Sequence, residues 1–175
     1  MRHHVLLLLH FLNPFHFHHW KERAPAPPPR HVVWASIPFA KQIYQAAKSN
    51  GLNPFLVAAI VRVESDFDKD AVSYTGCCSG LMQTSYHVIQ KYGPSSLKAG
   101  AAYLSVLLGR FGDLRGALIA YNEGPTVYSQ GIVYPMAYQY SQDVLEREDT
   151  YRRRLSMVCE NTIESFPSVA SACPR

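Results

Sequence analysis

The stretch NPFLVAAIVRVESD, residues 53–66, decides the fold of this 175-residue chain. Asn53 is a favoured helix N-cap residue and Pro54 suits the first helical turn, so a helix is expected to begin here. Residues 55–63 are apolar on nearly every face, with Arg62 as the exception. Because a helix that is apolar all round is buried inside a domain, the stretch predicts a central core helix.

Glu64 follows the apolar run, and Ser65-Asp66 breaks the pattern directly after it. This position puts Glu64 in the last turn of a buried helix. Burial and the negative end of the helix dipole both disfavour a charged carboxylate, so both raise the pKa of the carboxyl group. A carboxyl group that is partly protonated near neutral pH can act as a general acid. The alternative is that Glu64 is simply the first polar residue after a core helix and points to water.

The body of the chain, from residue 36 onward, carries the start and stop signals of helices and lacks the alternation typical of strands. Ser36 is expected to cap a first helix, which Asn50-Gly51 ends. Further helices are predicted over four ranges: 85–92, 96–111, 114–122 and about 136–158. The fold class is therefore predicted to be all-α.

The charge pattern argues against a nucleic-acid partner. The chain has 17 Lys and Arg against 13 Asp and Glu, a net charge of +4. Glu148 and Asp149 lie four residues before Arg152 and Arg153, which is typical of a solvent-exposed helix face. Because the basic residues are interleaved with acidic ones, we expect no nucleic-acid partner.

Three more segments follow Glu64-Ser65 on the predicted helices and turns. They are GLMQ at 80–83, AGAAYL at 99–104 followed by FGD at 111–113, and AYNEGP at 120–125. In this order they resemble the lytic transglycosylases of the SLT class, which are similar to goose-type lysozyme, over about residues 36–148. The resemblance implies a lysozyme-like helical domain with a glycan-binding groove. It implies neither a cofactor nor a metal.

The resemblance also implies a mechanism, in which one glutamate is first an acid and then a base. Glu64 matches this residue. It would protonate the oxygen between MurNAc and GlcNAc of peptidoglycan and then take the proton of the muramyl 6-hydroxyl, leaving a 1,6-anhydro end. The family's substrate-binding residues match six positions: Ser65, Met82, Gln83, Tyr121, Asn122 and Tyr140. Tyr138 is the rival of Tyr140, and Met82 alternatively belongs to the core.

A second carboxylate is the usual partner of the acid in glycosidases. Asp66, Asp68 and Asp70 follow Glu64 too closely for this role and are expected on an exposed loop, so the sequence indicates no partner acid. Two other functions remain as alternatives. One is a goose-type lysozyme-like hydrolase that uses water, and the other is a catalytically silent peptidoglycan-binding or secretion-associated module.

Two features depart from the family pattern. Thr84-Ser85-Tyr86 follows GLMQ, where the family usually has a Met-Pro segment, so this wall of the groove is expected to differ. The adjacent Cys77-Cys78 is also unusual and belongs to a set of four cysteines. If the protein is exported, Cys159 and Cys173 are expected to bond to each other or back to the 77/78 loop. In a reducing compartment, free thiols are expected.

Residues 1–35 are interpreted as a leader and a Pro-rich linker. A basic start and the apolar run 5–9 are typical of an export signal, although the segment lacks a clear cleavage site. The run is too short for a membrane span, so no transmembrane anchor is expected. Seven of the eight histidines lie in this region, and the cluster at 16–19 is interpreted as part of the leader and not as a metal site.

The expected domain organisation is a catalytic domain over 36–150 and a Cys-containing tail over 151–175. Export would place the protein in the periplasm or cell envelope, with peptidoglycan glycan strands as its partner. Wall turnover, a secretion or conjugation apparatus and phage-like entry remain alternative settings for its activity.

Overall fold

The computed structural model describes residues 36–165. Within that range the chain forms seven helices and one pair of two-residue strands. The elements in chain order are α1 (Ala40–Ser49), α2 (Pro54–Ser65), β1 (Cys78–Ser79), β2 (Thr84–Ser85), α3 (Tyr86–Tyr92), α4 (Ser96–Phe111), α5 (Leu114–Glu123), α6 (Pro125–Ser129) and α7 (Pro135–Ser165). The predicted helical fold class is confirmed. The predictions for the leader, the linker, the histidine cluster and Cys173 concern residues outside the described range.

Helix α2 begins as the sequence predicts. The Asn53 side chain accepts a hydrogen bond of 2.9 Å from the backbone N–H of Phe55, and Pro54 occupies the first helical position. Residues 55–61 are all buried. Asp66 ends the helix in a left-handed conformation, with its N–H bonded to the carbonyl of Arg62. The local signals therefore suffice to place the helix and to put Glu64 in its last turn.

The core forms around α2, which packs against α1 on one side and most extensively against α7. At the beginning of α2, the ring of Phe55 stacks on that of Tyr151 with 6.3 Å between centroids. Beside it, Asn53 Nδ2 donates a hydrogen bond of 2.9 Å to Glu148 Oε1. Because Tyr151 is buried in the core, the packing continues past residue 150, the expected end of the domain.

The other half of the fold is built on α4 and α5, which pack against each other. Their buried leucines include Leu104, Leu107 and Leu118. Helix α3 packs on α4, and α5 contacts α7. Thus α7 contacts both α2 and α5, and the ends of these two helices carry the residues of the site.

Two helix boundaries differ from the prediction. Ser36 does not cap α1, which begins at Ala40 after Phe39. The cause is Pro38, since a proline disfavours the helical conformation of the residue before it. Helix α7 continues to Ser165 and does not stop near Val158, because the sequence has no Gly or Pro from 159 to 165.

The strand pair and α6 were not predicted. β1 and β2 form an antiparallel hairpin in which Cys78 pairs with Ser85 and Ser79 with Thr84. Cys77 and Cys78 are joined by a disulfide. The expectation that the 77/78 loop bonds to the distant cysteines is therefore wrong, because the two adjacent sulfurs pair with each other. Cys159 is buried and disulfide-bonded, and its other expected partner, Cys173, lies outside the described range.

Helix α7 carries the predicted ion pairs, of which the Arg153–Asp149 pair is exposed while Glu148 of the other pair is half-buried. Arg152 lies 3.7 Å from Glu148, and Arg153 lies 2.8 Å from Asp149. Helix α7 has 31 residues. Even so, no helix between residues 36 and 165 combines the length and the apolar character that crossing a bilayer requires.

Candidate active site

A cavity of about 590 Å³ lies beside the C-terminal end of α2. Glu64 lines it, together with three other residues that the sequence predicted: Gln83, Tyr121 and Asn122. The rest of the wall comes from the β1–β2 hairpin, α3, α4 and the end of α5. Thus segments far apart in the sequence converge on the Glu64 carboxyl group.

The Glu64 side chain is largely removed from solvent, and this burial raises the pKa of its carboxyl group from 4.5 to about 7. The Tyr140 hydroxyl opposes the shift and lowers the pKa. Since burial is the larger effect, Glu64 is partly protonated at neutral pH. This is the protonation state that a general acid requires.

Tyr140 is buried, and its hydroxyl faces Glu64 without meeting the geometry of a normal hydrogen bond. Burial, and then the charge of Glu64, raise the pKa of the Tyr140 hydroxyl well above its ordinary range. Tyr138, the rival assignment, is 45% exposed. Its ring lies 5.2 Å from the Arg115 guanidinium. The structure therefore places Tyr140, and not Tyr138, against the acid.

The GLMQ segment forms a tight turn that holds Gln83 in the cavity wall. The backbone N–H of Gly80 donates to the carbonyl of Ala71 at 2.8 Å. Gln83 Nε2 donates to the same carbonyl at 3.0 Å and to that of Gly80 at 2.9 Å. Both amide hydrogens are then used within the protein. The side-chain oxygen of Gln83 stays available to accept a hydrogen bond from a ligand.

Met82 is a correction to the sequence prediction. Its side chain is fully buried, so it belongs to the core and not to the substrate-binding surface. Its backbone carbonyl accepts a hydrogen bond of 2.9 Å from the Tyr121 hydroxyl. Gly100 makes this approach possible, since a Cβ there would lie 2.7 Å from the Tyr121 hydroxyl and 2.8 Å from Met82 Cβ. Met82 therefore supports Tyr121 from behind the cavity.

Ser65 also lies outside the cavity lining. Its hydroxyl oxygen is 3.1 Å from the carbonyl oxygen of Val61 and 3.0 Å from that of Leu81. A hydroxyl has one hydrogen to donate, and both neighbours are acceptors, so this hydrogen is used inside the protein. Ser65 thereby ties the end of α2, with Glu64, to the GLMQ turn.

The three aspartates after Glu64 are exposed, as the sequence predicted. Asp66 pairs with Arg62 one turn earlier on α2. Asn122, by contrast, lines the cavity and is exposed to solvent. Its amide makes no hydrogen bond to the part of the chain that is described, so both its donor and its acceptor can meet a ligand.

The cavity lining also includes residues that were not predicted as part of the site, and three of them have side chains suited to binding: Thr84, Tyr103 and Glu123. The ring of Tyr103 lies 5.7 Å from that of Tyr121, and on its other side 5.6 Å from that of Tyr92. A signal was present for two of the three, because Tyr103 and Glu123 lie inside the segments AGAAYL and AYNEGP. Thr84 lies in the segment that departs from the family pattern.

Three buried side-chain oxygens have no hydrogen-bond partner within residues 36–165: Thr84 Oγ1, Glu123 Oε1 and Tyr140 Oη. All three belong to this site, since Thr84 and Glu123 line the cavity and Tyr140 faces Glu64. A buried polar group without a partner is destabilising, so folded proteins rarely keep one without a functional reason. Their clustering here indicates a site built to bind a polar ligand.

Replacing Tyr140 with Phe is expected to raise the pKa of Glu64 above about 7. The hydroxyl stabilises the charged carboxylate, and its removal leaves the effect of burial unopposed. A carbon-detected NMR titration of the Glu64 carboxyl group measures the shift. Tyr138→Phe is the matched control and is expected to leave the pKa unchanged. A shift in the Tyr138 variant alone would reverse the assignment of the two tyrosines.

Comparison with known proteins agrees with this geometry. The family model described as the Transglycosylase SLT domain matches residues 41–143, more than half of the chain. The chain belongs to this family. The match includes Glu64 and every other residue that lines the cavity.

The relatives of this SLT domain are larger proteins. The membrane-bound lytic murein transglycosylase F of Desulfosudis oleivorans is 33% identical over an alignment of 107 residues, and the match covers 53% of this chain and 23% of that protein. An inactive glutamate-to-glutamine variant of the lytic transglycosylase Slt from Pseudomonas aeruginosa has a TM-score of 0.58 at 27% identity, over 69% of this chain and 25% of the other. The chain spans about a quarter of the length of these relatives.

The 70 kDa soluble lytic transglycosylase of Escherichia coli has a TM-score of 0.57 at 20% identity, over 70% of this chain and 26% of the other. At this identity the likeness concerns the fold alone. It agrees with the predicted lysozyme-like helical architecture of the SLT domain.

Proposed function

We propose that this SLT domain is a lytic transglycosylase that cleaves the bond between MurNAc and GlcNAc in peptidoglycan and leaves a 1,6-anhydromuramic end. The observation that carries the proposal is the raised pKa of Glu64, about 7, in the wall of a cavity rich in hydrogen-bonding groups. Such a carboxyl group can give up a proton and take one back at neutral pH.

Glu64 performs both proton transfers in this proposal. The neutral acid gives its proton to the glycosidic oxygen as the bond from that oxygen to C1 of MurNAc breaks. The carboxylate then takes the proton of the muramyl 6-hydroxyl while O6 bonds to C1. No water enters the products. The Tyr140 hydroxyl assists the first transfer, because it stabilises the carboxylate that the transfer leaves.

The side chains around Glu64 support sugar binding. Gln83 offers an acceptor, and Asn122 offers both a donor and an acceptor, which suits the acetamido and hydroxyl groups of a glycan. The rings of Tyr103 and Tyr121, half-buried in the cavity wall, suit packing against a sugar ring. We assign Ser65 the role of fixing the end of α2, since its hydrogen is used within the protein.

Relatives of the chain support the reaction. The D. oleivorans protein is a lytic murein transglycosylase, and the P. aeruginosa enzyme is inactive as a glutamate-to-glutamine variant. We propose peptidoglycan in the cell envelope as the substrate, and residues 36–150 as the main body of the catalytic unit.

Purified protein incubated with isolated sacculi tests the proposed reaction. Mass spectrometry of the released muropeptides is expected to show anhydro ends, which weigh one water less than hydrolysed ends. Release of hydrolysed ends would show that water attacks C1. Absence of any released product would support a catalytically silent binding module.

Hydrolysis is the second candidate because of one observation. Glu123 lines the same cavity as Glu64 and so supplies a second carboxyl group that sequence analysis did not recognise. Glycosidases that use water or a covalent intermediate work with two carboxyl groups. The end-group masses in the same experiment separate the two reactions.

A further inference from the structure

Glu123 is the last residue of α5, and within residues 36–165 only one oxygen of its carboxyl group has a hydrogen-bond partner. Its Oε2 accepts a hydrogen bond of 2.9 Å from the backbone N–H of Tyr134, directly before α7 begins. Its Oε1 is buried and finds no partner between residues 36 and 165. The first bond fixes the carboxyl group in the cavity wall, and the second oxygen is left without a donor.

The surroundings of Glu123 do not supply this donor. None of the residues that line the cavity in the described chain is Lys, Arg or His, so no fixed cation faces the carboxyl group there. Thr84 Oγ1, in the same wall, is also buried without a partner. A buried acceptor that lacks a donor carries a desolvation penalty, which a donor on a bound ligand would remove.

We propose that Glu123 is a substrate-positioning residue whose Oε1 accepts a hydrogen bond from an N–H or O–H group of the bound glycan. The inference rests on the proposed function, since it takes the occupant of the cavity to be a peptidoglycan sugar. The acetamido N–H and the hydroxyls are the donors that such a sugar presents. Because the carboxyl group is held by Tyr134, it would bind the sugar with little loss of side-chain freedom.

Glu123→Gln is the sharpest variant for a test. The amide has the shape of the carboxyl group, and its oxygen can still accept from the Tyr134 N–H. The amide nitrogen then replaces Oε1, so that a donor faces an acetamido N–H, whereas against a sugar hydroxyl a weaker neutral hydrogen bond replaces the charge-assisted one. Glu146→Gln, on the exposed face of α7, is the matched control for a change of charge.

Binding is measured by calorimetry with a GlcNAc–MurNAc tetrasaccharide, in a Glu64→Gln background so that the sugar is not consumed. We expect Glu123→Gln to weaken binding roughly tenfold to hundredfold, the range for one hydrogen bond to a charged group, while the melting temperature stays close to that of the parent. Glu146→Gln is expected to leave the affinity unchanged.

Two further oligosaccharides identify the donor. If it is the N–H at C2, an oligomer of glucosamine, which carries ammonium groups in place of the acetamido groups, will lose more affinity on Glu123→Gln than an oligomer of GlcNAc. If it is a hydroxyl, the extra loss for the glucosamine oligomer will be small, because it then comes only from the longer-range attraction between its ammonium groups and the Glu123 carboxylate. Either result supports the positioning role and names the group that is bound.

Unchanged affinity would overturn the inference. With a lowered melting temperature, it would show that Glu123 only links α5 to α7. If the affinity is unchanged but Glu123→Gln, made in the chain that retains Glu64, has a lowered kcat, then Glu123 acts as a base that activates water. If the proposed function is wrong, the wild-type protein will release nothing from sacculi. The oligosaccharide titrations measure binding alone, so their result does not depend on that outcome.

Discussion

Replacing Glu64 with Gln is expected to lower the release of muropeptides from sacculi by at least about a hundredfold, since general acid–base catalysis contributes on the order of 10² to 10⁴ in rate. Gln has nearly the same size and still faces Tyr140, but it cannot donate the proton that the leaving oxygen needs. In the proposed reaction Glu64 acts in both transfers, so the variant loses the acid of the first step and the base of the second. Release of soluble products, followed by mass spectrometry, measures the loss.

Asp66→Asn is the control for this variant. Asp66 is the neighbouring acid at the end of α2, it is exposed, and Asn also tolerates its left-handed backbone conformation. We expect its activity to match the wild type. Persistence of cleavage in Glu64→Gln would remove Glu64 from the mechanism, and a comparable loss in Asp66→Asn would mean that the end of α2 matters as a structural unit.

Position along the chain made Glu64 a candidate acid, and the resemblance of the later segments to the SLT class assigned it the role. The cap at Asn53, the proline after it and the apolar run fix where α2 begins and which part is buried. A polar residue in its last turn must then lie at the edge of the core. This local argument predicted a raised pKa if the side chain stays against the core, but the alternative of a side chain in water was excluded only by the packing of the other elements around it.

Residues that depend on tertiary contacts were harder to predict. Glu123 ends α5, and nothing in its own segment shows that Tyr134 will hold one of its oxygens and leave the other unpaired. Met82 is the opposite case, a residue that the sequence assigned to the site and that lies in the core. Its segment matches the family pattern, but the close approach of Gly100 and Tyr121 puts its side chain in the core.

The irregular wall of the cavity was the part that sequence could not predict. Strands of two residues are too short to show an alternation of apolar and polar residues. The sequence pattern therefore could not predict the pairing of β1 with β2. This hairpin nevertheless brings Cys78, Thr84 and Ser85 into the wall. The departure from the family pattern after GLMQ indicated that this wall of the groove would differ, but it did not indicate that a hairpin would form it.

The raised pKa of Glu64 also has a consequence for stability. Its pKa is about 7 in the folded protein and near 4.5 when the chain is unfolded. Below pH 4.5 the group is neutral in both states and has no effect on the free energy of unfolding. As the pH rises from 4.5 to about 7, the unfolded chain loses this proton while the folded one keeps it. The folded state therefore loses up to about 3 kcal/mol of stability relative to low pH.

Glu64→Gln is consequently expected to be more stable than the wild type above pH 7, by up to about 3 kcal/mol, and equally stable near pH 4. Gln does not titrate, so it avoids the cost of a buried charge and still faces the Tyr140 hydroxyl. Urea unfolding of both proteins at pH 4, 6 and 8 gives the difference in free energy directly, because contributions from the other carboxyl groups cancel in the comparison.

The exposed Glu146→Gln is expected to show no such pH-dependent gain. A constant difference between Glu64→Gln and wild type at all three pH values would mean that Glu64 titrates alike in the folded and unfolded chains. The expected result instead couples inactivation to stabilisation, since the same buried carboxyl group supplies the acid and destabilises the fold.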